Sequence, residues 1–600
     1  MTLQDGGGDG VAPKLATLAR SPLRRSRRTK LLWTVAGALF FILFLTRTDL
    51  RMSPVIPDFY NEHPSQPLTR LEDGVSPAIN PAEPQLSKDG KFPSGVVKPN
   101  PSFHLIIRGP QKNPSICRTI FTAMALNYPP PTVVYLGDPI EEEGGPKYGK
   151  LDTLLVLSSY LTKNKAMKDD DIVLIIDDND TWFQLPPEVL LQRFHTLLVN
   201  NNEQLAWRYG SIPDKVNKSD PNVTSMQKYS QRIIFAADKI CRPDRPYDAF
   251  CYAVPRSTLP PDLYGPKTDS GKKPGQNRPR WLNSGAIIGM VADVKRMYER
   301  AAEINSKLPE PMPEQRVLAK IYGEQEYVRE LDRRLTAPNW YHHIGELLGL
   351  IPRIDIARIY VKMVPGRRYD FGIGLDYKSE LFFSTSQAAS DLEWIRYNNV
   401  THASSAQRDH HVPREARLNL PSDVASAQNP FLPPHAQTAE MMPPYNATVD
   451  YLPPPQNVSW HNIPLATNLF SATIPPLLHT NTNTTDPDSL ATWWKAMWYR
   501  PWSRALLRKY MRSARGPIAA EAALRGGAEA WDTRGGKGGL WTDNDEWVDW
   551  TSVCKGIEED IFGNDGFGKW GEENGFDYQA PVYNQFGMLV TGREPPAPPS

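Results

Sequence analysis

The fold is decided by the stretch Asp171-Ile-Val-Leu-Ile-Ile-Asp-Asp-Asn-Asp180, in which an apolar run of strand length is followed directly by a cluster of carboxylates. The run Ile172 to Ile176 predicts a buried strand. Ligands collect outside the carboxyl ends of strands in open α/β sheets, so this cluster lies where a site is expected. Asp177 and Asp180 are the predicted working pair, and their hard oxygen atoms suit Mg²⁺ or Mn²⁺. The other interpretation is a solvated acidic turn, because Asp and Asn are ordinary turn residues.

Strand and helix patterns alternate on both sides of this stretch. The predicted strands and helices lie at 103–107, 116–126, 132–136, 151–161, 232–238, 285–289 and 293–307. Such alternation predicts an α/β fold with a parallel sheet covered by helices. Two more strands are expected at 371–377 and 381–383. Residues 405–465 are rich in Pro, Ala and Asn and are expected to form an irregular insertion.

The N-terminal region carries a basic segment and then an apolar one. Residues 1–30 form the expected cytosolic tail, with its basic residues at 20–30, and 31–46 form an apolar segment. The positive-inside rule then predicts a single-pass protein with a lumenal C-terminus. A cleaved signal peptide is the competing interpretation, but no small-x-small cleavage site follows residue 46, which favours a signal anchor. The proline-rich residues 47–100 read as an extended stem.

Other features agree with a Golgi or endoplasmic reticulum lumen. Acceptor sequons for N-glycosylation follow the apolar segment at Asn217, Asn222, Asn399, Asn446, Asn457 and Asn483. Cys241 and Cys251 are close enough in sequence to close a small disulfide loop, or either is a buried free thiol. The formal net charge of the 600 residues is +1, which gives no reason to expect nucleic acid as a partner.

The C-terminal part is aromatic and then rich in Gly and Trp. The segment 491–511 is expected to be helical and to pack against the domain, with a sugar-stacking platform as the alternative. We place the end of the catalytic domain, 101–510, at this segment. Residues 511–600 are expected to be a partly disordered tail with a short docking segment near residue 582.

Four blocks of sequence stand out together, at 175–180, 233–244, 281–289 and 374–382. Over roughly 100 to 485 they resemble, in matching order, the GT-A glycosyltransferase domains of the lysyl hydroxylase and procollagen galactosyltransferase group, and in particular fungal type II membrane relatives of that group. The resemblance implies a Rossmann-like mixed sheet with flanking helices. It covers sugar transfer alone, since no His-x-Asp…His set of iron ligands follows the transferase region.

The resemblance also implies a metal site. It makes Asp177 and Asp180 the carboxylates that hold Mn²⁺ (or Mg²⁺) against the diphosphate of a UDP-sugar. Family members carry a third ligand, a His in a His-x-Asn pattern, and Leu477-Leu-His-Thr-Asn481 nominates His479. Mn²⁺ accepts such mixed oxygen and nitrogen coordination. A lone His in a Pro-rich region is otherwise an ordinary surface side chain.

Further residues are nominated around the donor. Asn283, Ser284 and Gly285 lie where the family lines the donor sugar; an amide and a hydroxyl suit sugar hydroxyls, and Gly lets the backbone approach closely. A strand-entry turn is the alternative for these three residues. Glu314 and Gln315 take the place of an acidic-Gln pair, although the family usually has Asp, and Glu314 taken alone reads as an exposed helical residue. Arg108 and Lys150 are candidates for binding the diphosphate, with Lys147 as a substitute for Lys150.

These observations predict a metal-dependent hexosyltransferase in the Golgi or endoplasmic reticulum membrane that moves a sugar from a UDP-sugar to a glycan or glycoprotein. Arg242 stands where family members often carry Trp, which questions sugar stacking at that position. The rival hypothesis is a catalytically inactive GT-A-fold scaffold that binds sugars or partners. A hydrolase that uses the carboxylates as acid and base is a third reading, but no second spaced carboxylate in a recognisable context supports it.

Overall fold

The computed structural model describes most of the part of the chain after residue 101. All described residues belong to one compact unit, 80–600. They are residues 102–109, 113–134, 141–142, 145–146, 153–177, 181–212, 226–271, 273–336, 356–410, 412, 417–431, 449–480, 487–512, 534, 538–570, 582–583 and 589–591. The predicted anchor at 31–46 and stem at 47–100 lie outside these ranges. Within them, no helix combines the length and the apolar character that crossing a membrane requires.

Thirteen of the strands found within these ranges are numbered here. They are β1 (Phe103–Arg108), β2 (Thr132–Val134), β3 (Ile172–Asp177), β4 (Thr181–Phe183), β5 (Ile233–Asp238), β6 (Trp281–Met290), β7 (Ile373–Asp376), β8 (Phe382–Ser384), β9 (Leu392–Ile395), β10 (Leu465–Asn468), β11 (Leu477–His479), β12 (Gly539–Thr542) and β13 (Trp547–Asp549). Short ladders also join 141–142 to 145–146, 211–212 to 226–227, and 582–583 to 589–591.

The helices are distributed along the same ranges. They are α1 (Pro114–Ala125), α2 (Thr153–Lys163), α3 (Pro187–Tyr209), α4 (Ala249–Tyr252), α5 (Val291–Ser306), α6 (Glu314–Thr336), α7 (Val400–Asp409), α8 (Ser422–Ser426), α9 (Pro487–Ala496), α10 (Ser503–Arg512), α11 (Trp550–Cys554) and α12 (Glu558–Phe562).

Eight strands form the main sheet, in the order β7-β5-β6-β3-β1-β2-β12-β13. The sheet is mixed: β6 runs antiparallel to both β5 and β3, and β13 runs antiparallel to β12. The other neighbouring pairs are parallel. The α/β architecture predicted from the alternating pattern is therefore confirmed, but the prediction of a parallel sheet is wrong for β6 and β13, and the sheet is mixed.

Helices cover both faces of this sheet because its strands are apolar on both sides. In β3, Leu174 and Ile176 contribute to one buried cluster, whereas Val173 and Ile175 contribute to the other. Residues of α1, α3, α9 and α10 complete the first cluster, and residues of α2, α5 and α6 complete the second. Strands buried on both faces read as continuous apolar runs, which is the pattern of this stretch.

A smaller sheet lies beside the main one and is made of β8, β11 and β4. β8 and β11 are parallel, and β4 pairs antiparallel with β11. β4 begins at Thr181, directly after the acidic cluster. The segment that follows the predicted insertion therefore returns to the carboxyl end of β3.

The C-terminal region contributes more to the domain than the sequence predicts. β12 extends the main sheet by pairing with β2, and Trp550 and Ile561 are fully buried. A disulfide joins Cys117 in α1 to Cys554 in α11. Residues 538–570, which the sequence assigns to the tail 511–600, thus form part of the sheet and core. They contain two short strands and two short helices, which their Gly-rich composition does not predict.

The aromatic segment 491–511 packs against the domain as predicted. Trp494 and Trp498 are buried, and the indole N–H of Trp498 donates to the carbonyl of Gln184 at 3.0 Å. Cys241 and Cys251 are bonded to each other, which confirms the small disulfide loop.

Candidate active site

Charged side chains end the parallel strands at one edge of the main sheet. Arg108 is the last residue of β1, Asp177 of β3 and Asp238 of β5. Arg108 and Asp177 are paired in the β1–β3 register. Because β6 runs the other way, its first residues arrive at the same edge, and Asn283 is paired with Ala236. Four segments that are distant in sequence therefore meet where ligands bind in open α/β sheets.

His479 reaches this edge through the smaller sheet. It is the last residue of β11 and pairs with Thr181 of β4 and with Ser384 of β8. Thr181 is covalently adjacent to Asp180, so strand pairing alone brings His479 next to the acidic cluster. The side chain is buried rather than on the surface, with 3 % of its area exposed.

Gly285 provides the space in which the imidazole lies. A Cβ atom at this position would overlap Cε1 and Nδ1 of His479. Gly285 donates its N–H to Oδ1 of Asn283 at 2.7 Å, within the irregular pairing that separates Asn283 from Ile287. The Asx-type turn at 283–285 therefore lies within β6, at its irregular pairing, and not at the strand entry. Its glycine lets a side chain of another sheet approach the backbone.

The amide of Asn283 is held in one orientation. Its Nδ2 donates to Oδ2 of Asp238 at 3.1 Å and to Oγ of Ser384 at 3.3 Å. Ser384 also donates to the other carboxylate oxygen, Oδ1, of Asp238 at 3.3 Å. Desolvation raises the pKa of Asp238 to about 6, against the opposing effect of these hydrogen bonds. The arrangement presents a carboxylate, an amide and a hydroxyl together.

Arg108 and Glu314 form an ion pair at the start of α6. The Glu314 side chain is 10 % exposed, so its interpretation as an exposed helical residue is wrong. Tyr298 donates its hydroxyl to Glu314 at 2.8 Å, and Nη2 of Arg108 donates to the carbonyl of Ser284 at 2.5 Å. Desolvation raises the pKa of Glu314, while Arg108 opposes the shift. Arg108 is therefore engaged within the protein as well as lying at the sheet edge.

Gln315 fixes the backbone of the same turn. Its Oε1 accepts from the N–H of Ser284 at 2.6 Å, and its Nε2 donates to the carbonyl of Leu282 at 2.6 Å. The pair of hydrogen bonds locks the peptide groups on either side of Asn283. Gln315 thus positions the predicted donor-lining residues by holding their backbone.

The chemistry of His479 fits a metal ligand. Its pKa is lowered by desolvation, with Asp177 opposing and Arg108 adding to the effect, so the ring is neutral near pH 7. Its Nδ1 is buried and has no hydrogen-bond partner among the described residues. The hydroxyl oxygen of its cross-strand neighbour Thr181 is also buried and also has no hydrogen-bond partner among the described residues. A buried imidazole nitrogen without a partner calls for a ligand, because unpaired polar atoms are unfavourable in the interior.

Several predicted residues lie outside the described ranges. These are Asp180, Lys147 and Lys150. No group of three His, Cys, Asp or Glu side chains suited to a metal occurs among the residues that are described. No family model matches the chain, and no curated protein matches it. The metal set Asp177, Asp180 and His479 stays a prediction, of which the structure places two members at one edge.

Sequence reasoning did not single out Asp238, Tyr298 or Ser384. Asp238 ends an apolar strand, as Asp177 does, and this repeated position at a strand end was the available signal. Tyr298 belongs to the buried face of α5, so its pattern resembles that of any core residue. Ser384 is found through strand pairing, which the sequence does not display. Arg242, the departure noted above, is exposed, and its backbone carbonyl accepts a hydrogen bond from Arg316.

Proposed function

We propose that this chain is a metal-dependent glycosyltransferase of the GT-A type, which moves a sugar from a UDP-sugar to a glycan or glycoprotein acceptor in the secretory pathway. One observation carries the proposal. The acidic strand end at Asp177, the buried imidazole of His479 and the turn at 283–285 come from distant parts of the sequence and meet at the carboxyl edge of an α/β sheet. Binding sites occur at such edges.

The metal would be held by Asp177 and His479 together with Asp180. Bound there, Mn²⁺ or Mg²⁺ acts as a Lewis acid and neutralises charge on the departing diphosphate. The neutral state of His479 supports this role, since a metal binds the unprotonated imidazole nitrogen. Lys150, or Lys147 in its place, would add a positive charge to the same diphosphate.

The donor sugar would lie against the turn at 283–285. Gly285 keeps the backbone close to His479, while the remaining lone pairs of the Asn283 amide oxygen and of the Asp238 carboxylate offer acceptors to sugar hydroxyls. Gln315 fixes the peptide groups of the turn, so these groups are held before a ligand arrives. Pre-organised polar groups lose less entropy on binding than mobile ones.

The cysteines and the sequons support a lumenal location. Both disulfides, Cys117–Cys554 and Cys241–Cys251, are of the kind that persists in oxidising compartments. Two of the predicted glycosylation sites, Asn399 and Asn457, have exposed side chains. The signal anchor at 31–46 would place these residues in the lumen of the Golgi or endoplasmic reticulum.

The deciding experiment measures UDP release by the purified protein across a panel of UDP-sugars. We expect release from one sugar in the presence of Mn²⁺ and none after the metal is chelated. Asp180→Asn and Asp177→Asn should abolish turnover without unfolding the protein, while Asp170→Asn, an exposed carboxylate at another place, should leave it unchanged. Full activity in a folded Asp180→Asn protein would contradict the metal assignment.

Binding without turnover is the second candidate function. It is favoured by the ion pair between Arg108 and Glu314, which occupies two of the nominated polar side chains, and by the exposed Arg242. A scaffold of this kind would bind a UDP-sugar or a partner but release no UDP. Calorimetric titration with UDP and Mn²⁺ separates the two functions, because binding in the absence of UDP release at any acceptor concentration would support the scaffold.

A further inference from the structure

A pocket lies at the edge of the main sheet that is opposite to the candidate active site. Its volume is about 860 Å³, and it is lined by residues that directly precede β5 and β7, including Arg232 and Gly372. β5 is six residues long, so the pocket is roughly 17 Å from the carboxyl edge at about 3.3 Å per residue. The pocket is therefore separate from the candidate active site, and its volume is within the usual range of ligand sites.

The lining of this pocket is strongly basic. Five cationic side chains from three separate segments converge on it, and Asp370 is the lining carboxylate. The cations are Lys228, Arg232, Arg296, Arg367 and Arg368. We call this site the basic pocket. Asp370 does not neutralise the five, because it forms an ion pair with the buried Arg329 at 2.6 Å.

Carboxylates next to the basic pocket pair with three of the five cations. Lys228 pairs with Asp332 at 2.5 Å, and Asp293 pairs with Arg296 at 2.5 Å and more distantly with Arg232 at 3.7 Å. Arg367 and Arg368 form no ion pair with any residue that the structure describes. The remaining positive charge is thus concentrated on one wall.

A hydrogen-bonded turn shapes the backbone of that wall. Arg367 donates its N–H to the carbonyl of Val364 at 3.2 Å across a turn with Pro365 and a left-handed Gly366, the arrangement of a type II turn. The hydroxyl of Tyr369 accepts from the N–H of Val364 at 2.9 Å. These contacts fix the backbone from which the exposed side chains of Arg367 and Arg368 extend.

Aromatic rings orient the two guanidinium groups. Arg367 lies over the ring of Tyr369 at 6.0 Å, and Arg368 over that of Phe371 at 5.7 Å. Nε of Arg368 donates to the carbonyl of Asp370 at 2.7 Å, which leaves its two terminal nitrogens directed elsewhere. Guanidinium groups with donors remaining match the oxygen atoms of phosphate and sulfate, which Arg binds in a bidentate manner.

We propose that the basic pocket binds a compact ligand that carries two or more phosphate or sulfate groups, with Arg367 and Arg368 as its principal contacts and Arg232 on the facing wall. The inference is independent of the proposed sugar transfer, because no residue of the candidate active site takes part. The alternative interpretation is an ordinary solvated surface on which basic residues are scattered. Two observations distinguish the basic pocket from such a surface: its cations come from three segments and line one concavity, and two of its arginines form no ion pair with a described residue.

Isothermal titration calorimetry on the full-chain protein, with divalent metal chelated, tests the proposal. The probes are inorganic tripolyphosphate and a sulfated heparin disaccharide, which separate phosphate from sulfate. We expect at least one to bind, and Arg367→Gln/Arg368→Gln to weaken that binding by about a hundredfold, since two charged hydrogen bonds are lost and each contributes about tenfold, or about 1.4 kcal/mol. Arg232→Gln removes one such bond and should weaken binding by about tenfold.

A matched control removes the same charge elsewhere. Lys307→Gln/Lys378→Gln changes two side chains that are 64 % and 51 % exposed and lie outside the pocket. It should leave binding within about twofold of the original, because exposed distant charges are screened. Failure of both probes to bind would overturn the proposal. So would binding that survives the Arg367→Gln/Arg368→Gln change, or an equal loss in the control.

Discussion

Gly285 leaves open the space that the imidazole of His479 occupies, so each residue constrains the other. We expect Gly285→Ala to lower the free energy of unfolding by about 1–3 kcal/mol, because the added Cβ overlaps the imidazole and forces it to move. His479→Ala in the same chain removes the overlapped ring. The double variant should therefore lose less stability than the two single variants together, as measured by urea denaturation in a double-mutant cycle. Additive losses would show that the ring already yields to the added methyl group.

Asp238 gives the site a dependence on pH. Its pKa in the folded protein is about 6, above its ordinary value of 3.8. Between these two values the folded state holds a proton that the unfolded state has released. The stabilising contribution of the Asp238 carboxyl group to the free energy of unfolding is therefore fully present below about pH 4 and is lost as the pH rises through about 6. The loss is on the order of 1–3 kcal/mol, because each tenfold change in the acid dissociation constant corresponds to about 1.4 kcal/mol.

Asp238→Asn tests this sign. Asn carries no charge at any pH, so the variant should show a flatter decline of unfolding free energy between about pH 4 and about pH 7 than the unaltered protein. Other carboxyl groups with raised pKa values contribute slope in both proteins, among them Asp376, whose pKa is also raised to about 6 by desolvation. Denaturant titrations at several pH values supply the comparison. Parallel curves for the two proteins would exclude Asp238 as a titrating group in this range.

At the scale of elements, six of the eight strands of the main sheet were predictable, whereas β12, β13 and the two longest helices were not among the predicted elements. Apolar runs mark β1, β3 and β5 because strands buried on both faces leave a continuous signal. The sequence patterns do not predict α3 and α6, each 23 residues long. Asn residues interrupt the pattern of α3, and Gly323 interrupts that of α6. The glycine has a tertiary cause, since a Cβ there would overlap the backbone of Phe250, and such contacts are invisible in the sequence.

The residues of the candidate active site likewise divide into those that a sequence signal marks and those that it does not. Asp177 is found because the carboxyl end of an apolar strand carries a local signature, whereas residues 283–285 are nominated by the family resemblance. His479 comes from a motif, and its neighbour Thr181 is not found at all, because pairing between β4 and β11 joins segments about 300 residues apart. Register between distant strands depends on the assembled core, which no local pattern records.

The aromatic segment offers a test at this scale that separates packing from sugar binding. Trp498 is 1 % exposed and lies against Phe431 and Trp460. Trp498→Ala should lower the free energy of unfolding by about 3–5 kcal/mol, as deletion of a buried ring does. Trp493→Ala is the matched control, because the indole of Trp493 in the same segment is half-buried. It should lower the free energy of unfolding clearly less than Trp498→Ala. Thermal or urea unfolding measures both. Equal, small losses would favour the sugar-stacking platform.

At the scale of the whole molecule, the C-terminal region closes the domain. β12 pairs with β2, and the burial of Trp550 and Phe562 against α1 covers an apolar face that would otherwise meet water. Composition does not reveal this, because a short strand in a Gly-rich segment gains its stability from an existing sheet edge rather than from its own residues. The predicted end of the domain at residue 510 rests on that composition.

The disulfide between Cys117 and Cys554 provides the test of this closure. It links residues 437 apart in sequence, whereas Cys241–Cys251 links residues 10 apart. A longer loop constrains the unfolded chain more, so Cys117→Ser should lower the free energy of unfolding by about 3–5 kcal/mol and Cys241→Ser by about 2. Because residues 538–570 are also packed into the core, we expect one cooperative transition in both variants. Early proteolytic release of these residues from folded Cys117→Ser protein would instead mean that the bond, rather than the packing of Trp550 and β12, holds them on the domain.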